Sequence, residues 1–235
     1  MSISQDAMMS RQGQIIHPGM QQAKVVVAGA GMLGSWTAHA LVRAVGSLTV
    51  FDGGDTVEME NIGNQAYGIV AIGQEKAEAL AGQLLGLPYT GIKSSFPLPK
   101  PAGSWNEIPD VVISCVDTLP GRKKIAKWCK AKGVRLFIDT RALGEVAVMC
   151  AATAEQIPEY LEALPREEDV EQDARCGATG GAFTGMWVGS QVAAWINQYY
   201  RGMTLPKMLV WHVGLNQEVN KIKYTEGGGR RRRNA

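Results

Sequence analysis

Residues 24–29, Lys-Val-Val-Val-Ala-Gly, run apolar without alternation, and short runs of the same kind recur near 48–52, 91–96, 110–115, 134–139 and 145–150. Between them, the stretches near 33–45, 74–86 and 119–132 carry apolar residues at helical spacing. A strand that is apolar at every position is buried on both faces, and strands alternating with helices place those helices on the two faces of a parallel sheet. The pattern therefore predicts an α/β fold: a Rossmann-like, doubly wound, mainly parallel sheet. After Ala151 an acidic, proline-punctuated segment through Asp173 reads as a short helix followed by an exposed crossover loop. A long helix follows over 179–200, with Phe183, Trp187, Val188, Val192, Trp195 and Ile196 at helical spacing, read as core residues. Two last strands, 208–213 and 219–224, flank Gly214-Leu215-Asn216-Gln217, a hairpin turn that adds a C-terminal antiparallel edge.

The first strand runs into Gly29-Ala30-Gly31-Met32-Leu33-Gly34, and the second closes on Asp52. Glycines at 29, 31 and 34 let the backbone turn tightly and approach a phosphate, whose charge then faces the N-terminus of the helix that begins near Leu33. Asp52 is placed to take ribose hydroxyls. A glycine fingerprint of this kind serves NAD and FAD as readily as ATP, so the class of nucleotide rests on residues further along.

Composition narrows the field. A formal net charge of +2 over 235 residues gives no electrostatic case for binding nucleic acid in bulk. No apolar run approaches the roughly 20 residues that cross a membrane, and the N-terminus lacks a basic start followed by an apolar stretch, so a cytoplasmic protein with reduced cysteines is expected. Cys115, Cys129, Cys150 and Cys176 include no C-x-x-C pair, and no structural zinc is expected. The basic stretch from Arg122 to Arg135 reads as a solvated helix face, with docking of an acidic partner as the alternative.

The discriminating stretch is Asp52-Gly53-Gly54-Asp55-Thr56-Val57-Glu58-Met59-Glu60-Asn61-Ile62-Gly63-Asn64-Gln65, followed by Gly73-Gln74-Glu75-Lys76-Ala77 and by Asp117-Thr118-Leu119-Pro120-Gly121-Arg122. A dehydrogenase has no task for these residues. In this order they resemble the ThiF/MoeB family, bacterial relatives of the ubiquitin-activating enzymes, in a compact variant without the zinc-binding cysteine pairs. The resemblance spans most of the chain. It implies that Gly29, Gly31, Gly34, Asp52, Asn61 and Gln65 hold ATP, that Lys76 meets its phosphates, and that Asp117 binds Mg²⁺. The implied activity is adenylation of the C-terminal carboxylate of a small protein or peptide, ubiquitin-like or sulfur-carrier-like. Each residue also has a plainer reading, Lys76 as a solvated helix lysine and Asp117 as a helix N-cap. Ser10-Arg11-Gln12 resembles the segment from which the family sends an arginine into the partner subunit's site, which implies a homodimer. On this resemblance the chain divides into an N-terminal arm (1–23), an adenylation domain (24–225) and a flexible basic tail (226–235).

One position departs from the family pattern. Its Asn-x-x-Arg-Gln arginine is Asn64 here, and an amide supplies no full positive charge to a phosphate. Arg11, Arg122 or Arg141 would then carry more of the task, or turnover would be slow. Cys176 follows Arg175 and precedes the long helix, where a thiolate would be favoured and could attack the adenylate; the alternative is a packed thiol. Two rival functions remain: an NAD(P)-dependent oxidoreductase, and a catalytically weak nucleotide-binding subunit of a modification system.

Overall fold

The computed structural model describes residues 10–97, 107–165 and 180–219. In chain order the elements are α1 (Pro18–Gln22), β1 (Lys24–Ala28), α2 (Met32–Leu41), β2 (Ser47–Asp52), α3 (Lys76–Gln83), β3 (Tyr89–Lys93), β4 (Val111–Ser114), α4 (Leu119–Lys132), β5 (Leu136–Leu143), β6 (Val146–Ala152), α5 (Ile157–Glu162), α6 (Ala182–Tyr200), β7 (Met208–His212) and β8 (Gln217–Glu218). They build one 8-stranded sheet in the order β3-β2-β1-β4-β5-β6-β7-β8. The first five of these in space are mutually parallel, and β6, β7 and β8 continue the sheet antiparallel. The predicted Rossmann-like sheet with an antiparallel C-terminal edge is the architecture observed.

Two cores flank the sheet. On one face Val25, Val27, Ile113, Leu136 and Ile138 pack with Leu41, Val188, Val192 and Trp195 of α2 and α6. On the other Val26, Val112 and Phe137 pack with Ile125 and Cys129 of α4 and Ile157 and Tyr160 of α5. Neighbouring residues on one strand thus enter opposite cores, which is why β1 and β4 carry no polar alternation. Helix α6 lies close against α2 because a Cβ at Gly189 would stand 2.8 Å from the Trp36 carbonyl oxygen. Helix α4 is bounded by its sequence: Thr118 Oγ1 accepts from Gly121 N–H at 3.3 Å at the start, and Gly133, at φ 66°, ends it in the left-handed conformation.

Several expectations change. The second strand of the terminal hairpin begins at Gln217, within the segment read as the turn, and residues 220–224 lie outside the described residues. Strand β5 runs on to Leu143, four residues past its expected end, because it pairs with β6 along its whole extension. Phe183 is 47% exposed and leaves the core, while Trp187 is half-buried at its margin, stacked on Trp211. Arg122 is no part of a solvated face: it is 3% exposed, while Lys124, Lys127, Lys130 and Lys132 around it face solvent. The arm before β1 also contributes to the core through Met20, 1% exposed. Among the described residues no helix is long and apolar enough to cross a membrane.

Candidate functional site

Between β1 and β4 the chain direction of the sheet's build-up reverses, and the crevice at the C-terminal ends of such neighbours is where doubly wound sheets take ligands. The loop from Gly29 to Gly31 opens there. Gly29 adopts φ 96°, and its N–H donates to Phe51 O at 2.7 Å, which turns the chain sharply out of β1. A Cβ at Gly34 would overlap the Gly29 carbonyl oxygen, so glycine there lets α2 start against the strand end. A Cβ at Gly31, the N-cap of α2, would meet nothing within 4 Å. The open side of the loop is therefore the side of Gly31, toward which a helix N-terminus presents unpaired N–H groups.

Asp52 organises this loop from below. Its Oδ2 accepts from Ala30 N–H at 2.8 Å and its Oδ1 from Asp55 N–H at 3.2 Å, so one buried carboxylate ties the glycine loop to the β2 exit. Burial raises its pKa, while the Ala30 N–H bond and the nearby Lys76 charge act in the opposite direction. Lys76, the first residue of α3, is 8% exposed, and its ammonium reaches Asp55 Oδ2 at 3.3 Å. The pair is set by backbone pairing: Lys76 N–H donates to Asp55 O at 2.9 Å, and Val57 N–H to Gln74 O at 2.9 Å. Gly54, Asp55, Thr56, Glu58, Asn61 and Lys76 line a polar cavity of about 450 Å³. The burial of Lys76 rules out the solvated-lysine reading.

Asn61 closes a 3₁₀ turn, its Oδ1 accepting from Glu58 N–H at 3.0 Å. Gln65 lies half-buried with Oε1 lacking a hydrogen-bond partner among the described residues. Asp117 is exposed on the loop after β4 and is not the cap of α4, a task Thr118 performs. That loop abuts the glycine loop, because a Cβ at Gly29 would stand 2.9 Å from Cys115 O. Among the described residues no three of His, Cys, Asp or Glu converge on a metal position. A lone exposed carboxylate fits the manner in which Mg²⁺ is held, by one or two acids with the remaining positions filled by phosphate and water.

Two of the arginines considered as phosphate partners are committed elsewhere. Arg122 Nη1 donates to Asp139 Oδ1 and, at 2.8 Å, to Thr140 O, and Arg141 Nε donates to the other oxygen of Asp139 at 2.8 Å. Arg11 is exposed, and the adjacent Gln12 Nε2 donates to Arg43 O at 2.8 Å, beyond the C-terminus of α2. Ten residues of α2 put that point about 15 Å from the glycine loop. Asn64 faces inward, its Nδ2 donating to Gly180 O at 3.4 Å. Cys176 and Arg175 lie outside the described residues, as does the tail from 226.

Sequence reasoning passed over Tyr67 and Lys93, and it quoted Asp55 without giving it a role. Tyr67 is buried, and its hydroxyl hydrogen is shared between Ala30 O at 2.6 Å and Lys76 O at 3.4 Å, linking the glycine loop to the start of α3. Burial, with Asp52 nearby, pushes its phenol up, so it stays a donor. Lys93, opposite Asp52 in the β2–β3 register, donates to Glu75 Oε1 at 2.6 Å beside Gly54. An acid just before a helix was the available signal for that pair.

A model of the ThiF family matches residues 9–224. The chain belongs to the ThiF family. Among solved structures it is similar to selenomethionine PaaA (17% identity, TM-score 0.66, covering 93% of this chain and 74% of that one). It is also similar to E. coli MccB with MccA (14%, 0.65, 92% and 71%), a protein also crystallised with ATP. A third is the E. coli tRNA N6-threonylcarbamoyladenosine dehydratase TcdA (18%, 0.57, 83% and 94%). At these identities the likeness to the ThiF-family chain is one of fold. No curated protein sequence matches it.

Proposed function

We propose that this ThiF-family protein is an ATP-dependent adenylyltransferase that activates the C-terminal carboxylate of a small protein or peptide. The observation that carries the reading is the buried Lys76 ammonium, held at the wall of a polar cavity beside an open glycine loop. Family membership and the fold shared with MccB, which has been crystallised with ATP and with MccA, support it.

The chemistry asks for positive charge. A carboxylate oxygen that bonds to the α-phosphorus of ATP approaches as one anion toward another, and the bond to the bridging oxygen breaks with its electron pair leaving on pyrophosphate. Lys76 lies where its charge offsets that repulsion and stabilises the growing charge on the phosphoryl oxygens. Asp52 ties down the glycine loop and would offer its remaining acceptor capacity to ribose hydroxyls, Asn61 lines the cavity, and Gln65, with its Oε1 unpartnered among the described residues, would add a contact to the nucleotide. Asp117 would hold Mg²⁺, which when bound neutralises phosphate charge. Arg11 cannot reach the site of its own subunit across the length of α2, which favours delivery to a partner copy in a homodimer. Cys176 would receive the acyl group from the adenylate as a thioester, releasing AMP.

Asn64 favours a second reading, a nucleotide-bound subunit of low turnover, because its amide is turned toward Gly180 and leaves no cation at that position. ATP–pyrophosphate exchange with candidate peptides separates the two: exchange supports adenylation, and ATP binding without exchange supports the second. Stabilisation by NAD⁺ or NADPH alone, with none by ATP, would overturn both.

A further inference from the structure

On the sheet face away from α2 and α6, a second cavity of about 130 Å³ lies between β6, the start of β7 and helix α5. Its walls are mostly apolar, from Cys150, Ala152, Leu164 and Met208, and Arg141 and Tyr160 supply the polar end. Lys207 and Glu159 also border it, and Lys207 Nζ donates to both carboxylate oxygens of Glu159, at 2.7 and 2.9 Å, so their charges offset each other. Behind the polar end, Asp139 is fully buried and accepts from both Arg122 and Arg141. Among the described residues, two guanidinium cations against one carboxylate leave one formal positive charge in excess, and only Arg141 of the two faces the cavity. Among the described residues Asp139 is the sole acceptor for Arg141, through Nε, and none of them accepts from either Nη group.

A partly buried excess charge is costly unless an anion reaches it. One monoanion balances it, whereas a dianionic phosphate would leave a buried negative charge. The planar fork of Arg141 matches a carboxylate in two-point geometry, and the apolar walls suit a short aliphatic stem. We propose that this cavity is a binding site for a single carboxylate on a short aliphatic stem, held by Arg141. The chemistry is shared by a free short-chain acid and by a glutamate side chain of a polypeptide. The site is separate from the nucleotide crevice and does not depend on the adenylation reading.

The test is fluorine NMR titration of the full chain with 4,4,4-trifluorobutyrate and with its amide. In parallel, N-acetyl-Ala-Glu-Ala-amide and its Gln counterpart are used as competitors of the fluorinated acid. The acid is expected to broaden and shift on binding and the amide to bind at least about tenfold more weakly, as expected for loss of a charge-assisted pair. Arg141→Met should weaken the acid by a similar factor. Ala163→Phe, which fills the cavity from the C-terminal end of α5 and keeps every charge, should abolish binding too and keeps the test decisive if Arg141→Met melts early. Competition by the Glu peptide below the concentration needed for butyrate assigns the site to a polypeptide side chain, and the reverse order assigns it to a free acid. Equal binding of acid and amide, or a folded Arg141→Met protein that binds the acid like the parent, overturns the proposal.

Discussion

Lys76 Nζ stands 3.3 Å from Asp55 Oδ2, and the two side chains of this pair live in different surroundings, the lysine 10% exposed and the aspartate 76%. The buried cation thus depends on a partner that solvent can draw away. An arriving phosphate competes with Asp55 for the same ammonium. Removing the aspartate should therefore help the ligand, while removing the lysine removes the charge the chemistry needs. Lys76→Ala is expected to lower pyrophosphate exchange by about 100-fold with a smaller change in ATP affinity. Asp55→Asn should tighten ATP by a few-fold, the scale of a solvent-screened ion pair. Isothermal titration and exchange assays on the two variants read this directly, and an Asp55→Asn protein that binds ATP more weakly would show that the carboxylate itself serves the ligand.

Tyr67 bridges two loops that the sequence places far apart, since its hydroxyl serves carbonyls of both Ala30 and Lys76. Tyr67→Phe removes one donor and leaves buried acceptors less satisfied, which costs about 1–2 kcal/mol. The melting temperature should fall and ATP affinity should fall with it, because the phosphate loop loses its tie to α3. A variant that melts earlier yet binds ATP unchanged would confine Tyr67 to stability.

Arg122 shows what residue patterns leave hidden. It stands in a run of lysines whose other members are exposed, and its i, i+3, i+4 neighbours Ile125 and Ala126 gave the face that turns inward. Its buried partner Asp139 sits on another element, so the pairing exists only once β5 lies beside β4. The alternation of strands and helices, the glycine turn and α4 were readable because each is a local pattern of burial, turn and cap, whereas the order of strands in the sheet is not local and was not read. Lys76 and Asp117 were singled out through the resemblance, and of the two Lys76 lines the polar cavity. The Lys76–Asp55 pair, the Tyr67 bridge and the inward turn of Asn64 depend on how the loops from 53 to 75 fold over one another, and no periodicity reports that. Asp139→Ala should lower stability by about 3–5 kcal/mol, as expected when a buried ion pair is broken from one side, whereas Lys124→Ala should stay within about 0.5 kcal/mol. Equilibrium denaturation of both variants checks the contrast.

Three thiols in the described residues are shielded by burial. Cys115 and Cys150 are both pushed up to about 11, chiefly by desolvation, and Cys129 higher still. At pH 8 a thiol of pKa about 11 is about one part in a thousand thiolate, so iodoacetamide should label these positions slowly, with rates rising about tenfold per pH unit up to pH 10. The sign for stability is the same as for any acid whose folded pKa is raised: the contribution is complete below pH 9, the ordinary value, and is lost as pH climbs through 11. Mass-spectrometric mapping at pH 8 should find Cys176 labelled first. If Cys176 is the slowest of the four and Cys176→Ser leaves acyl transfer intact, the adenylate passes directly to an outside nucleophile.

Arg11 makes the sharpest demand on quaternary structure. Its neighbour Gln12 is fixed to Arg43 O, and the backbone at Ile15 and His17 is clamped to Asn197 of α6, so the segment is docked at the ends of α2 and α6 that lie away from the glycine loop. On the proposed reading, a side chain held there acts in another copy's site. Arg11→Ala and Lys76→Ala should each be weak alone, and a mixture of the two should regain activity, because one of the two sites in a mixed dimer carries both parental residues. At equal mixing about half of the dimers are mixed, so roughly a quarter of the parental exchange rate is the ceiling for random pairing between copies. The complementation should vanish at dilutions where light scattering reports monomers. A parental protein that is monomeric and fully active, or an Arg11→Ala variant with unchanged exchange, would instead leave Arg11 as a surface residue and the site complete within one chain.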